Sequence, residues 1–323
     1  MLFSKLMEKG YRARVHARAN ELDCVFYFSH ENFEGMKRER HEFCSSMGHT
    51  LSGNFYYYGE RRTDRIVVFE HGMGAGHRSY MREIELIARH GYTVFSYDHT
   101  GCAESGGEST NGFAQSLRDL NDAICELKSI DEYKNAEISV IGHSWGGFST
   151  LNIGALHQDI THLVAMAGFV SVERILKASL TGFISRFYDR ALEIETAANP
   201  EFVDFSAEES LKKTEASLLV IHSRDDSIVD YNVNFAYLEK ALADRKNTKF
   251  LSCEGKDHNP SYTEDAVKYK RVFLKSLRKK LTRRALKTEK ACEDFKSGFD
   301  WYRMTAQDEA VWNEIFDFLE KKQ

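Results

Sequence analysis

The sequence predicts an α/β fold with a mostly parallel central sheet flanked by helices on both faces, and three observations carry that prediction. Short apolar runs of strand length recur at residues 66–69, 92–97, 138–141, 162–169, 217–221 and 249–253. Apolar runs without polar alternation, bounded by charge or glycine, are the pattern of strands buried on both faces of a parallel sheet. Helically spaced apolar residues lie between them: Met81, Ile84 and Ile87, then Leu117, Leu120, Ile124 and Leu127. Glycine-punctuated loops follow several of the runs, at the strand ends where an open α/β sheet gathers its functional groups. Strand, helix, strand in this rhythm closes into a parallel sheet through right-handed crossovers.

Composition narrows the function classes. At 323 residues the chain has enough length for a large core. Hydrophobic residues at 42% and charged residues at 29% match a globular chain and exclude a disordered one. A net charge of −5 gives no global basic field for nucleic acid. The six cysteines, Cys24, Cys44, Cys102, Cys125, Cys253 and Cys292, show no C-x-x-C and no zinc-type spacing with histidine, so they read as reduced thiols and no metal or cofactor is expected. The first residues lack the long apolar core and cleavage site of a signal peptide, and no run of about 18 apolar residues occurs, so a cytoplasmic location is expected.

Taken in order, residues 1–42 are polar and of mixed charge apart from C-V-F-Y-F at 24–28, and read as an N-terminal appendage. From Phe43 two β-like runs separated by a turn at 47–49 suggest an antiparallel hairpin leading into the sheet. The run at 66–69 opens into H-G-M-G-A-G at 71–76. A dinucleotide fingerprint would need glycine where His77 stands and an acidic residue earlier than Asp98. The alternative is an oxyanion turn whose glycines let backbone N–H groups approach a reacting carbonyl, with the N–H of Met73 as one donor.

The densest signal is I-S-V-I-G-H-S-W-G-G-F at 138–148. A buried strand ends at Gly142 and a helix marked by Phe148, Leu151 and Ala155 begins at once, so the reversal falls within 142–147. Small residues at Gly142, Gly146 and Gly147 suit a turn with strained backbone and crowded neighbours. Ser144 stands at its tip, and the N–H of Trp145 is the second oxyanion donor. A serine that merely caps the helix is the plainer alternative, so the rest of the chain must supply a base and an acid.

A serine nucleophile needs an imidazole to take its proton and a carboxylate to fix that imidazole's tautomer. Thirteen histidines compete. His143 adjoins Ser144 and should project away from it, His71 belongs to the oxyanion turn, and His222 precedes an acidic loop; His258 alone lies in a loop after a late strand, in E-G-K-D-H-N-P. The chain order serine, acid, histidine places the acid in 225–230. Asp225 and Asp226 are the competing choices there, with Asp230 a weaker third.

H-G-M-G, G-H-S-W-G-G, D-D-S-I-V and G-K-D-H together resemble the α/β-hydrolase fold superfamily, in particular its serine aminopeptidase/monoacylglycerol lipase-like branch, over roughly residues 43–261. In that family the catalytic aspartate precedes a valine by three positions, which implies Asp226. The loop D-H-T-G-C-A-E-S departs from the family's D-x-R-G-x-G-x-S at Thr100 and Ala103. The expected division is an α/β-hydrolase core with a C-terminal helical extension at 43–170 and 216–323, and the resemblance implies Ser144, Asp226 and His258 as catalytic residues and Met73 and Trp145 as the oxyanion hole.

Residues 171–215 break the strand–helix rhythm and read as a helical cap insertion, with Phe183, Phe187, Tyr188, Phe202 and Phe205 packing it down or lining an acyl pocket. Beyond the histidine loop, 264–290 carries eleven basic and three acidic residues around an apolar stripe of Ala266, Phe273, Leu277 and Leu281. Such a helix can rest on a membrane surface, although a solvated face docked on the domain is the expectation. Thr305 and Asp308 suggest a capping box before a final helix bearing Val311, Ile315 and Phe318. The expected activity is acyl transfer from a small-molecule carboxylic ester with an apolar acyl or aryl group. A peptidase, a thioesterase and a non-catalytic binding homologue are the alternatives.

Overall fold

The computed structural model describes residues 2–19, 28–74 and 76–321; Ala75 and all of the 24–28 run except Phe28 lie outside them. Among the described residues, eight strands form one sheet: β1 (Met36–Cys44), β2 (Thr50–Tyr58), β3 (Arg65–Glu70), β4 (Thr93–Tyr97), β5 (Glu137–His143), β6 (His162–Met166), β7 (Ser217–Ser223) and β8 (Thr248–Cys253). Their spatial order is β1-β2-β4-β3-β5-β6-β7-β8. The β1–β2 hairpin is antiparallel in the register Met36↔Tyr58 to Cys44↔Thr50, and β2 also meets β4 antiparallel. Every other pairing is parallel. β1 begins at Met36, earlier than its sequence suggests, because M-K-R-E-R-H-E-F-C is a charged edge strand with a mostly exposed burial pattern. Charge of this kind protects an edge from further pairing and hides it from an apolar-run search.

The α-helices among the described residues are α1 (Leu2–Tyr11), α2 (Met81–Arg89), α3 (Gln115–Ser129), α4 (Trp145–Ile153), α5 (Val172–Ser179), α6 (Tyr188–Ala198), α7 (Ala207–Leu211), α8 (Tyr237–Ala241), α9 (Glu264–Thr282), α10 (Glu289–Lys296), α11 (Trp301–Met304) and α12 (Glu309–Leu319). Strand alternation splits the core in two. Ile66, Val68, Val140, Leu218 and Val220 face α3, α4 and α8. Their neighbours Val67, Phe69, Ile141, Leu219 and Ile221 face α2 and α12. The sheet is thus the middle of three layers, the arrangement that lets both faces of an apolar strand be buried.

Between Ser171 and the start of β7 the chain makes α5, a 3-10 turn at Gly182–Phe187, α6 and α7. Phe187 and Phe202 join the main core, Tyr188 and Phe205 pack half-buried against it, and Phe183 is exposed, so packing accounts for most of these aromatics. Past β8, Phe273, Leu277, Cys292, Phe295 and Met304 of α9 to α11 form a separate small core. Two sequence readings need correction here. α9 stops at Thr282, so Leu281 falls in its last turn and is exposed, outside the buried stripe of Ala266, Phe273 and Leu277. Asp308 caps α12 by itself, accepting from the N–H groups of Ala310 and Val311, and no capping box with Thr305 forms. Cys44, Cys102, Cys125, Cys253 and Cys292 are free thiols. Among the described residues, no helix is long and apolar enough to cross a membrane.

Candidate active site

β5 delivers Ser144 at the carboxyl end of the central sheet, immediately before α4. Its backbone lies at φ 57°, ψ −110°, a strained combination for a residue with a side chain. The glycines around it are sterically required. A Cβ on Gly142 would run into the Gly146 carbonyl and Thr150, one on Gly146 into the backbone of Glu70, and one on Gly147 into Gly168. Strand, sharp reversal and helix therefore pack only with these small residues, and the serine side chain is thrust out at the apex.

His258 and Asp226 meet Ser144 from two other loops. His258 Nε2 lies 2.8 Å from Ser144 Oγ, and its Nδ1 lies 2.9 Å from Asp226 Oδ2. Asp226 is locked by its own turn, since Oδ1 accepts from the N–H groups of Ile228 (2.8 Å) and Val229 (2.9 Å). His222 Nε2 also stands 3.1 Å from Oδ2. Burial alone would raise the pKa of this carboxyl, but the hydrogen bonds from His222 and His258 win and hold it well below the usual carboxylate range. Asp225 faces elsewhere, accepting from the Ser223 hydroxyl at 2.5 Å, while Asp230 accepts from the N–H of Val233. Of the three candidate acids, only Asp226 is bonded to His258.

The turn that His71–Gly74 begin follows β3, next to β5. A Cβ on Gly72 would come within 3.4 Å of the Ser144 Cβ, so the turn hugs the serine. Among the described residues, neither the Met73 nor the Trp145 N–H donates to a protein acceptor. No group of three or more His, Cys, Asp or Glu side chains among them is arranged to hold a metal ion.

Comparison with known proteins supports the fold and a hydrolase. Residues 61–204 match the family model described as serine aminopeptidase, S33. The chain has the α/β-hydrolase fold. The matched segment includes the glycine-rich stretch after β3 and the elbow but ends before Asp226 and His258. The uncharacterized protein YqkD of Bacillus subtilis is 23% identical over 257 residues, 76% of this chain and 81% of that protein. The Pyrococcus furiosus esterase Pf2001 superposes with a TM-score of 0.58 at 18% identity, covering 82% of this chain and 96% of that one. A puromycin-hydrolyzing peptidase from Mycobacterium tuberculosis gives 0.51 at 18% identity, over 69% of this chain and 36% of that chain.

Around the hydrolase elbow the structure adds residues that sequence reasoning passed over. The His143 ring has two hydrogen-bond partners of its own. Its Nε2 lies 2.6 Å from the carbonyl oxygen of His258, and its Nδ1 lies 2.8 Å from the Tyr80 hydroxyl, which also accepts from the Gly72 N–H at 3.1 Å. Burial pushes the His143 pKa down to about 3, with His258 adding to the effect, so the ring is neutral at assay pH. Its one proton sits on Nε2 and is donated to His258, and Nδ1 accepts from Tyr80. One chain of hydrogen bonds thus ties Gly72, the elbow and the His258 loop together. Tyr80→Phe is expected to lower kcat about tenfold while costing about 1 kcal/mol of stability, read from paired kinetics and urea melts.

Two further clusters support the loops. His99 is wholly buried, 3.4 Å from both Glu70 and Asp119. Burial would lower its pKa, but these carboxylates raise it, while burial lifts Glu70 to about 7. Thr100 donates to Asp119 through both its N–H and its hydroxyl at 2.7 Å, and Ala103, where the family pattern has glycine, adopts φ 39°. Buried Glu195 on α6 accepts from the Tyr11 hydroxyl (2.6 Å) and the Phe113 N–H (2.7 Å), with His16 Nε2 2.7 Å away. The Phe113 carbonyl in turn accepts from the Trp145 indole at 2.6 Å. Glu195→Ala leaves three polar partners stranded in a buried site and should destabilise the chain by about 3 kcal/mol in urea unfolding.

Proposed function

We propose that this hydrolase cleaves small-molecule carboxylic esters with an apolar acyl or aryl group through an acyl-enzyme intermediate on Ser144. The observation that carries the reading is the unbroken relay from Ser144 Oγ to His258 Nε2 (2.8 Å) and from His258 Nδ1 to Asp226 Oδ2 (2.9 Å). With Nδ1–H donated to Asp226, Nε2 is left as the acceptor of the serine proton. As Oγ bonds to the ester carbon, that proton passes to Nε2, and the carbonyl oxygen becomes an oxyanion held by the N–H groups of Met73 and Trp145. Collapse breaks the carbon–oxygen bond to the alcohol, which leaves with the proton from Nε2. Water then repeats the sequence on the acyl-enzyme and restores Ser144. Asp226 stays ionised and stabilises the imidazolium.

The likeness to the P. furiosus esterase over most of both chains favours an ester. The family name and the peptidase likeness support peptide-bond cleavage as the second reading. Initial rates on p-nitrophenyl esters of graded acyl length, set beside aminoacyl p-nitroanilides, decide between them. Esters should turn over faster, with an optimum in chain length. Faster anilide cleavage selects the peptidase. A chain that cleaves neither and takes no fluorophosphonate label on Ser144 is a binding homologue.

A further inference from the structure

α9 has two halves of different character. Its first half is built into the domain: Ala266, Val267 and Phe273 are buried, Lys270 bonds to Asn259, and Arg271 pairs with Asp257 at 3.0 Å. From Lys275 onward the partners stop. Lys275, Arg278, Lys279, Lys280, Arg283, Arg284 and Lys287 are all exposed, none forms an ion pair among the described residues, and 275–287 contains no carboxylate. Elsewhere on the surface cations such as Arg61, Arg190, Lys212 and Arg303 sit on carboxylates. In a chain of net charge −5, seven unneutralised cations in thirteen residues are a strongly segregated field.

Apolar side chains are interleaved with these charges. Leu274 (48% exposed) and Leu281 (46%) stand two helical turns apart on one side of α9, with Arg278 between them, and Val272 (58%) lies nearby on the same helix. The aromatics of this region, Phe273, Phe295, Phe299 and Trp301, pack against one another in the small core and offer no outward stacking platform. A nucleic-acid strand would use such a platform, so its absence from the strip argues against that partner. Leucines set among lysines and arginines instead suit an interface where apolar groups enter the acyl boundary and long cationic side chains reach back to the headgroups.

We propose that the exposed strip of α9 and the turn after it, residues 274–287, is a docking surface for an anionic lipid bilayer. The strip starts one turn beyond Arg271, whose partner Asp257 adjoins His258. The same Asp257 accepts from the N–H of Ser227 (3.0 Å), beside Ile228, which is 61% exposed. Docking therefore brings the histidine and acid loops close to the lipid surface. Resting on the proposed ester reaction, this makes lipid-dissolved esters the substrates the bound enzyme would meet.

Flotation of the full chain with phosphatidylcholine vesicles, pure or containing about a third phosphatidylserine, tests the surface separately from catalysis. Binding should appear only with phosphatidylserine and should fall away between about 50 mM and about 500 mM salt. Arg278→Gln/Lys279→Gln/Lys280→Gln/Arg283→Gln should lower the partition coefficient about 100-fold, and Leu274→Ser/Leu281→Ser about tenfold, both with unchanged circular dichroism and Tm. No binding to either vesicle, equal binding to both, or full binding by the four-glutamine variant overturns the proposal. Retention of single-stranded RNA without vesicle binding overturns it too and assigns the strip to nucleic acid.

Discussion

Ser144→Ala is expected to lower kcat on p-nitrophenyl esters by about 10⁶-fold without lowering the Tm. The size follows from the relay: without Oγ there is no group for His258 to activate, and only binding and the proposed oxyanion donors, the N–H groups of Met73 and Trp145, remain to help water attack. The Tm expectation follows from the local structure. The hydroxyl contributes one hydrogen bond, to His258, and alanine occupies the same strained backbone at φ 57° with the same Cβ. His258→Ala should fall as far, and the double variant no further, because the two groups act as one unit. A Ser144→Ala enzyme that retained a hundredth of the rate would show that the serine is not the nucleophile. Comparable losses in all three forms, with matching circular dichroism, would tie the chemistry to the pair.

Much of this geometry was legible because steric demands leave marks in sequence. The elbow needs residues without side chains where backbone passes backbone, so Gly142, Gly146 and Gly147 stand out, and the run before them identifies the strand. The parallel strands were legible for a related reason: burial on both faces removes polar alternation. What stayed hidden depends on direction rather than composition. Beyond a strained turn, strand alternation no longer tells where a side chain points, so the contact of the His143 ring with His258 left no mark in the sequence. Tyr80 and Glu195 act on partners 63 and more than 100 residues away, and no local spacing encodes such meetings. Edge strand β1 was obscured by the charges that keep it from pairing further. Leu281 followed the helical period yet lies in the last turn of α9, where there is no longer a core to meet it.

Asp226→Asn should lower kcat by about 10⁴-fold, and the reason is the tautomer it imposes. Oδ1 of Asp226 already accepts two backbone N–H groups, from Ile228 and Val229, so an asparagine must keep its carbonyl oxygen there. Its NH₂ group then takes the place of Oδ2 and faces His258 Nδ1, which can no longer donate and must accept. The ring proton moves to Nε2, where it blocks transfer from Ser144. Asp225→Asn is the control, since that carboxylate bonds to Ser223 and the Asp257 N–H and should leave kcat within about threefold. Equal losses in the two variants would remove Asp226 from the relay. Stability carries a second signature of the same carboxylate. The folded-state pKa of Asp226 is held below its unfolded value, so its stabilising contribution is present above the unfolded pKa of about 4 and is lost as pH falls through the folded value. The asparagine has no such ionisation. The wild type's advantage in urea melts should therefore be full at neutral pH and shrink on acidification, whereas a residue acting only by shape would keep a constant gap.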